Sequence, residues 1–381
     1  MTKLCIFTFA YPHRLHTMVN FHIENLFSGT SCVCSTKGQS VDPSGRAVLC
    51  RSDVQGNWSD GLLKAVVKVR NNLLKLPKYS ISGTERQRII DFLKEEQVDV
   101  ILCEFGDLGA EVADSIGNIG IPIFLYYRGF DGTLRIKSPK HQKLTARAFR
   151  KAEGVFFVSK YLQDNLARYG LVHPNSYIVP SGVNTDEFRP AEKKKARFVA
   201  VGRLIEKKRP EITVQSFCDE ARAHPSATLT MIGDGPALEA CRDIVRKEGM
   251  EDQVSFLGDQ PHDEVCRHLR EAEFFLQHSA PSPEGDAEGA PRSIQEALAC
   301  GCVVLSTRHA GIPELISEGE TGFLVDELDV TGYRKLISDA LSGSFDVERI
   351  SRAARAFAVE NLDNRRLTDR IEAILSASAG R

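Results

Sequence analysis

The chain has 381 residues, of which 42% are hydrophobic and 26% charged, and its formal net charge is −2. That length exceeds one ordinary core and the composition is that of a globular protein, so two domains are expected and intrinsic disorder is excluded. No run reaches eighteen uncharged apolar residues, which excludes a membrane-spanning helix.

From the N-terminus, LCIFTFAYP is too short in apolar residues for a signal sequence and reads as a buried first strand, which predicts a cytoplasmic protein. Five further apolar runs follow, SCVCS, VDVILCEF, IPIFLYY, GVFFVS and SYIVPSG, separated by helical patterns. Strands rich in Ile, Val and Phe that alternate with helices indicate a parallel sheet with crossover helices, an α/β domain.

The charged, Pro-bearing stretch from Arg189 to Ala196 is the expected linker. Beyond it the scheme repeats with FVAVGRL, TLTMIGDG, VSFLG, EFFLQHS, CVVLSTR and GFLVD. The expected division is therefore residues 1–190, a second α/β domain over 191–360, and a terminal helical piece over 361–381. Charge divides unevenly, with 24 Lys/Arg against 18 Asp/Glu in residues 1–190 and 25 against 33 in the rest.

The ten cysteines show neither CxxC nor zinc-ligand spacing and read as reduced core thiols. His262 and Cys266 share a helix face, but no second pair completes a metal site.

The densest chemistry lies in EGDAEGAPRSIQEALACG, where Glu288 and Glu296 flank a Gly289-Ala290-Pro291 turn. Pro291 suits the start of a helix, because its missing N–H would be unpaired there anyway. The N–H groups of Arg292, Ser293 and Ile294 would then project from a helix N-terminus, where the backbone dipole favours an anion such as phosphate. A carboxylate on each side can accept hydrogen bonds from sugar hydroxyls, and an ordinary loop-helix-strand unit is the alternative.

VGRLIEKKRP places Arg203 after a strand and Lys208 five residues on, cations suited to a diphosphate whose charge grows as it leaves. Lys207 and Arg209 are read as solvated. In IGDGP, Gly233 permits close backbone approach to a base or ribose, although a plain turn would look the same.

Together with STRHAGIPELISEGETGFLV, the Glu288 to Glu296 spacing resembles the E-x7-E signature of retaining nucleotide-sugar glycosyltransferases, family 4, with the GT-B fold. The context resembles the branch that builds exopolysaccharide, colanic-acid-like and lipopolysaccharide glycans. The resemblance implies two Rossmann-like domains facing across a cleft, a final helix that crosses back to the first domain, and a nucleoside-diphosphate sugar as co-substrate with no further cofactor. It further implies that Glu288 contacts the transferred sugar, Glu296 the ribose, and Arg203 with Lys208 the diphosphate. The backbone from Gly289 to Ser293 completes the donor contacts, and Leu257 in SFLGD lies near the nucleobase.

In the first domain, YYRGFDG resembles a segment in which relatives carry His. Here Arg128 holds that place and Gly129 and Asp131 are retained. Arg cannot shuttle a proton, so it would stabilise phosphate or sugar oxygens, or else pair structurally with Asp131. His13 and His16, in the first loop, are the acceptor-side candidates beside Asp131. No Asp-x-Asp motif follows an early strand, and cations with a helix N-terminus can replace a metal as charge sink, so metal independence is expected.

Two stretches, Leu62 to Tyr79 and Leu134 to Lys151, are basic and carry no acid. They read equally as anionic-membrane contacts and as solvated faces. Nucleic acid is not expected, since stacking aromatics are not interleaved. The leading expectation is a retaining hexosyltransferase acting on a glycan or lipid-linked saccharide. A nucleotide-sugar 2-epimerase and a non-catalytic glycan-binding scaffold are the alternatives.

Overall fold

The computed structural model describes residues 2–12, 17–42, 44–56, 58–77 and 81–379. It divides into two compact units, Met1–Pro180 with Leu367–Arg381, and Ser181–Arg366.

The first unit runs β1 (Leu4–Tyr11), α1 (Thr17–Asn25), β2 (Cys32–Gly38), β3 (Val48–Cys50), α2 (Trp58–Leu73), α3 (Gly83–Glu95), β4 (Val100–Glu104), α4 (Gly106–Ile116), β5 (Ile123–Tyr127), α5 (Pro139–Phe149), β6 (Gly154–Phe157), α6 (Lys160–Ala167) and β7 (Ser176–Ile178). Its seven strands are parallel in the order β3-β2-β1-β4-β5-β6-β7. The central strands are buried on both faces, which is why they read as continuous apolar runs and not as an alternation. The expected strands are all present. β3, only three residues long, is an addition to them.

The second unit runs β8 (Lys194–Val201), α7 (Pro210–Ala221), β9 (Thr228–Ile232), α8 (Leu238–Glu248), β10 (Val254–Phe256), α9 (His262–Glu271), β11 (Ala272–Leu276), α10 (Arg292–Ala299), β12 (Val303–Thr307), β13 (Gly322–Val325), α11 (Val330–Leu341) and α12 (Val347–Asn361). Its six parallel strands take the order β10-β9-β8-β11-β12-β13. One apolar cluster packs Phe198, Phe217 and Phe274 under α7 and α11, and another packs Val199, Phe275 and Val304 under α10 and α12. Helices on both faces of a parallel sheet define a doubly wound, Rossmann-like unit, and such units bind ligands beyond the strand carboxyl ends where the order reverses.

The division between units falls at Pro180/Ser181, ahead of the stretch expected as linker. Lys194 to Ala196 already belong to β8. The Lys193 ammonium donates to the carbonyls of Ala272 and Cys300 at 2.7 and 2.8 Å, so this charged run is tied into the second unit. The last helix, α13 (Asn364–Ser376), begins in the second unit and continues in the first. In the first unit its Glu372 accepts the Phe27 N–H at 2.6 Å. All ten cysteines are buried and free.

Candidate active site

In the second unit, functional side chains gather beyond β8, β11 and β12, near the reversal of strand order between β8 and β11. Lys208 is the hub. Its ammonium lies 3.0 Å from Glu288 Oε1 and donates to Gln277 Oε1 at 3.1 Å. The same amide oxygen accepts the Ser293 hydroxyl at 3.1 Å, and the Gln277 NH2 donates to Ser279 Oγ at 3.0 Å. Ser293 belongs to the first turn of α10, which begins at Arg292 directly after Pro291, where Pro was expected to start it.

Glu288 is buried, and burial pushes its carboxyl up. The Lys208 and Lys207 ammoniums more than offset this, and the carboxyl is held down at about 2. A second anchor acts on its backbone. The Glu288 N–H donates to His309 Nε2 at 3.1 Å, while His309 Nδ1 meets Glu327 Oε1 at 2.6 Å. An acceptor Nε2 and a carboxylate at Nδ1 select the imidazole tautomer protonated on Nδ1.

Lys207 corrects the expectation of a solvated side chain. It is buried, and its ammonium sits 3.1 Å from Asp286 Oδ2 and 3.3 Å from the Ala287 carbonyl. Arg209 is half-buried and donates to the Pro281 carbonyl at 3.0 Å, so it too is engaged. The Arg203 side chain, by contrast, is exposed and has no hydrogen-bond or ion-pair partner among the described residues. Arg203, Lys208 and Gln277 line one pocket with Gly202, Thr213 and Met231.

Glu296 lies on α10 and is buried beside Arg292, whose Nε is 3.2 Å from Glu296 Oε1. Burial raises its carboxyl, and Arg292 only partly opposes the shift. The two glutamates of the motif are therefore pushed in opposite directions. Gly289 is buried and Ala290 half-buried, and the Ala290 carbonyl accepts from Gln295 at 3.1 Å, which fixes the turn before α10.

Gly233 and Leu257 sit at strand tips. A Cβ on Gly233 would collide with the Gly202 backbone, at a φ of +127°. The close approach that requires glycine there is thus chain against chain. Leu257 is half-buried, and its N–H donates to the Met231 carbonyl at 3.0 Å.

In the first unit, Arg128 follows β5 and its guanidinium pairs with Glu104, the last residue of β4, through Nε at 2.7 Å and through Nη2. The guanidinium carbon stands 4.1 Å over the Tyr126 ring. His22 of α1 reaches the other Glu104 oxygen, Nδ1 to Oε1, at 2.5 Å. Burial raises the Glu104 carboxyl, but Arg128 and His22 prevail and hold it at about 2.

The expected alternative of an Arg128–Asp131 side-chain pair is not what forms. The buried Asp131 carboxylate takes the backbone N–H groups of Gly106 at 2.7 Å, Arg128 at 3.0 Å, Gly129 at 2.8 Å and Gly132 at 3.0 Å. It fixes the loop that carries Arg128. His13 and His16 lie outside the described residues. Glu104 and His22 in the first unit, and Gln277 and His309 in the second, take part in these two separate clusters without having been singled out by the sequence. An acid ending the apolar run VILCE is the available signal for Glu104.

Residues 184–357 match the family of glycosyl transferases group 1, and residues 48–187 match glycosyltransferase family 4. Between them these matches take in both units, and the chain belongs to this glycosyltransferase family. It is 29% identical over 265 residues to the amylovoran biosynthesis glycosyltransferase AmsK of Erwinia amylovora, across 68% of this chain and 65% of that one. It is 28% identical over 240 residues to the GDP-mannose-dependent alpha-(1-6)-phosphatidylinositol monomannoside mannosyltransferase of Mycolicibacterium smegmatis, across 59% of this chain and 62% of that one. The chain thus spans less than two thirds of the length of these relatives. Among solved structures, Anabaena Alr3699/HepE in complex with UDP is similar with a TM-score of 0.77 at 16% identity, over 99% of this chain and 100% of that one, which establishes the GT-B fold. Neither the 2-epimerase nor the scaffold alternative is favoured by these relatives. No helix among the described residues is long and apolar enough to cross a membrane.

Proposed function

We propose that this chain transfers a sugar from a nucleoside-diphosphate sugar to a saccharide or lipid-linked saccharide during polysaccharide assembly. One observation carries the reading. The Lys208 ammonium, held by Glu288 and Gln277, lines the same pocket as an exposed, unpaired Arg203, with Ser293 at the start of α10 joined through Gln277. A diphosphate placed there meets two cations and a helix N-terminus, and Glu288 is ionised to accept from a sugar hydroxyl.

As the bond from the anomeric carbon to the diphosphate oxygen breaks, the leaving diphosphate takes the electron pair. Arg203, Lys208 and the backbone of α10 stabilise that charge, and no metal ion is required. The acceptor hydroxyl attacks the face the diphosphate vacates and its proton passes to a diphosphate oxygen, so configuration is retained. Arg128, held by Glu104, with His22 against the same carboxylate, is assigned to the acceptor side.

Incubation with UDP-, GDP- and ADP-sugars tests the proposal by thermal shift, since a ligand at 100 times its Kd stabilises a fold by about 2.7 kcal/mol. With the stabilising donor and a saccharide acceptor, an α-linked donor should yield an α-linked product, and excess EDTA should not slow it. An inverted product would exclude retention, and epimer formed without acceptor would exclude transfer.

A further inference from the structure

Helix α2 is anomalous for a helix on an α/β unit, because its apolar residues face away from the body. Leu62, Val66, Val69 and Leu73 are 68%, 57%, 60% and 79% exposed. Their spacing of four, three and four residues places them on one stripe, about 17 Å long at 1.5 Å per residue. The opposite side of the helix carries its anchors to the unit. Buried Asp60 accepts the Thr84 N–H at 3.0 Å, and the buried Asn71 amide donates to the Pro77 carbonyl at 3.0 Å.

A stripe of exposed aliphatic residues on a folded unit marks an interaction site. Its surroundings identify the occupant. No acidic residue occurs from Gly61 to Pro77, and Lys64, Lys68 and Lys75 are exposed with no ion-pair partner among the described residues. At 3.6 residues per turn, Arg70 lies about 70° to one side of the stripe and Lys68 about 130° to the other. The guanidinium of the exposed Arg70 donates to Asn71 Oδ1 at 3.0 Å, a contact that it would exchange for a lipid phosphate, and both long stems can lie along the helix. Lys64 projects nearer the anchored side.

The second basic segment adjoins the end of this helix, where the Lys143 ammonium reaches the Leu74 carbonyl at 3.5 Å. Part of that segment is neutralised internally, because Arg135 pairs with Asp107, and Arg147 and Lys151 with Asp114. Lys140 and Lys143 have no ion pair among the described residues and extend the positive surface.

We propose that α2 lies flat on an anionic lipid surface, its Leu62-Val66-Val69-Leu73 stripe in the boundary between headgroups and acyl chains and its Lys68 and Arg70 on lipid phosphates. An apolar stripe with cationic flanks and low mean hydropathy is the chemistry of an in-plane interfacial helix. A protein partner with an apolar groove would leave these cations uncompensated. The inference is independent of the transfer reaction, and its test needs no sugar nucleotide.

Vesicle flotation of the full chain tests it, with phosphatidylcholine alone and with phosphatidylcholine carrying about 30 mol% phosphatidylglycerol as the anionic component. The chain should rise with the anionic vesicles only. Trp58, the one tryptophan of the sequence, belongs to α2, and the protein's tryptophan emission should shift to shorter wavelength on the same vesicles. Val66→Glu/Val69→Glu should abolish recovery. Lys68→Glu/Arg70→Glu should lower partitioning by about thirtyfold or more, each cation near an anionic surface contributing about fivefold. Val172→Glu, at an exposed aliphatic residue elsewhere in the same unit, should change nothing. All three variants alter exposed side chains, so wild-type circular dichroism is expected of each. Equal recovery on neutral and anionic vesicles, or wild-type recovery of both α2 variants, would overturn the proposal. So would a dimer in solution that Val66→Glu/Val69→Glu dissociates, because the stripe would then belong to a second copy of the chain.

Discussion

The Lys208 ammonium lies 3.0 Å from Glu288 Oε1, and this ion pair joins the loop after β8 to the loop before α10. Lys208 also donates to Gln277, so one cation ties together the ends of two strands and the approach to a helix. A diphosphate entering the pocket would compete with Glu288 for that ammonium. Arg203, with no partner to give up, is available to it at no such cost.

Lys208→Met should therefore destabilise the second unit, because it leaves the buried Glu288 without its nearest cation. Breaking a buried pair from one side costs about 3–5 kcal/mol, and Lys207 should hold the loss near the lower figure. Arg203→Ala should change stability by less than about 0.5 kcal/mol, as exposed substitutions do. Calorimetry on the two variants and on Lys208→Met/Glu288→Leu checks this, the double variant recovering most of the loss. Equal melting of Lys208→Met and wild type would show that the pair adds nothing to stability.

For ligand binding the two cations should behave alike. Arg203→Ala and Lys208→Ala should each weaken a nucleoside diphosphate by about 10- to 150-fold, the range for a hydrogen bond to a charged group of about 1.5–3 kcal/mol. The corresponding monophosphate should lose less. Titration calorimetry with both nucleotides decides, and an unchanged diphosphate affinity in Arg203→Ala would take that residue out of the site.

The strands are legible because buried parallel strands are runs of Ile, Val and Phe, and the start of α10 because Pro291 suits few other places. β3 is not, since Val48–Cys50 is too short to show a period. Lys207 reads as solvated because a basic run gives no sign of which lysine meets Asp286, 79 positions later. Glu104 and His22 are 82 residues apart and meet only through the order of β1 and β4 in the sheet. Gly233 reads as a glycine that permits close approach or as a plain turn, and what approaches it, the Gly202 backbone, lies at the end of a neighbouring strand.

Glu104 should govern part of the acid stability of the first unit. Its folded carboxyl is depressed to about 2, so its contribution is fully present above the unfolded value and is lost as pH falls through the folded one. Glu104→Gln should thus be destabilised near pH 7 by about 3–5 kcal/mol, the cost of opening a buried pair. The gap from wild type should narrow as pH falls from about 4.5 towards 2. Melting curves of both proteins across that window test the sign, and a gap that widens on acidification would contradict it.

Glu296 should act on the nucleoside and not on the phosphates. Its carboxyl is raised by burial, with Arg292 opposing, so ionising it costs the folded state stability at high pH. That cost shrinks as pH falls through the folded value and is gone below the unfolded one. Glu296→Gln should accordingly lose little stability at neutral pH, unlike Glu288→Gln, whose carboxylate is held down by two ammoniums. If Glu296 accepts from ribose hydroxyls, Glu296→Gln should weaken a nucleoside diphosphate by about tenfold or more while leaving inorganic pyrophosphate unchanged, as expected for one hydrogen bond to a charged group. Competition titrations with the two ligands separate these effects, and a parallel loss for both would place Glu296 on the diphosphate instead.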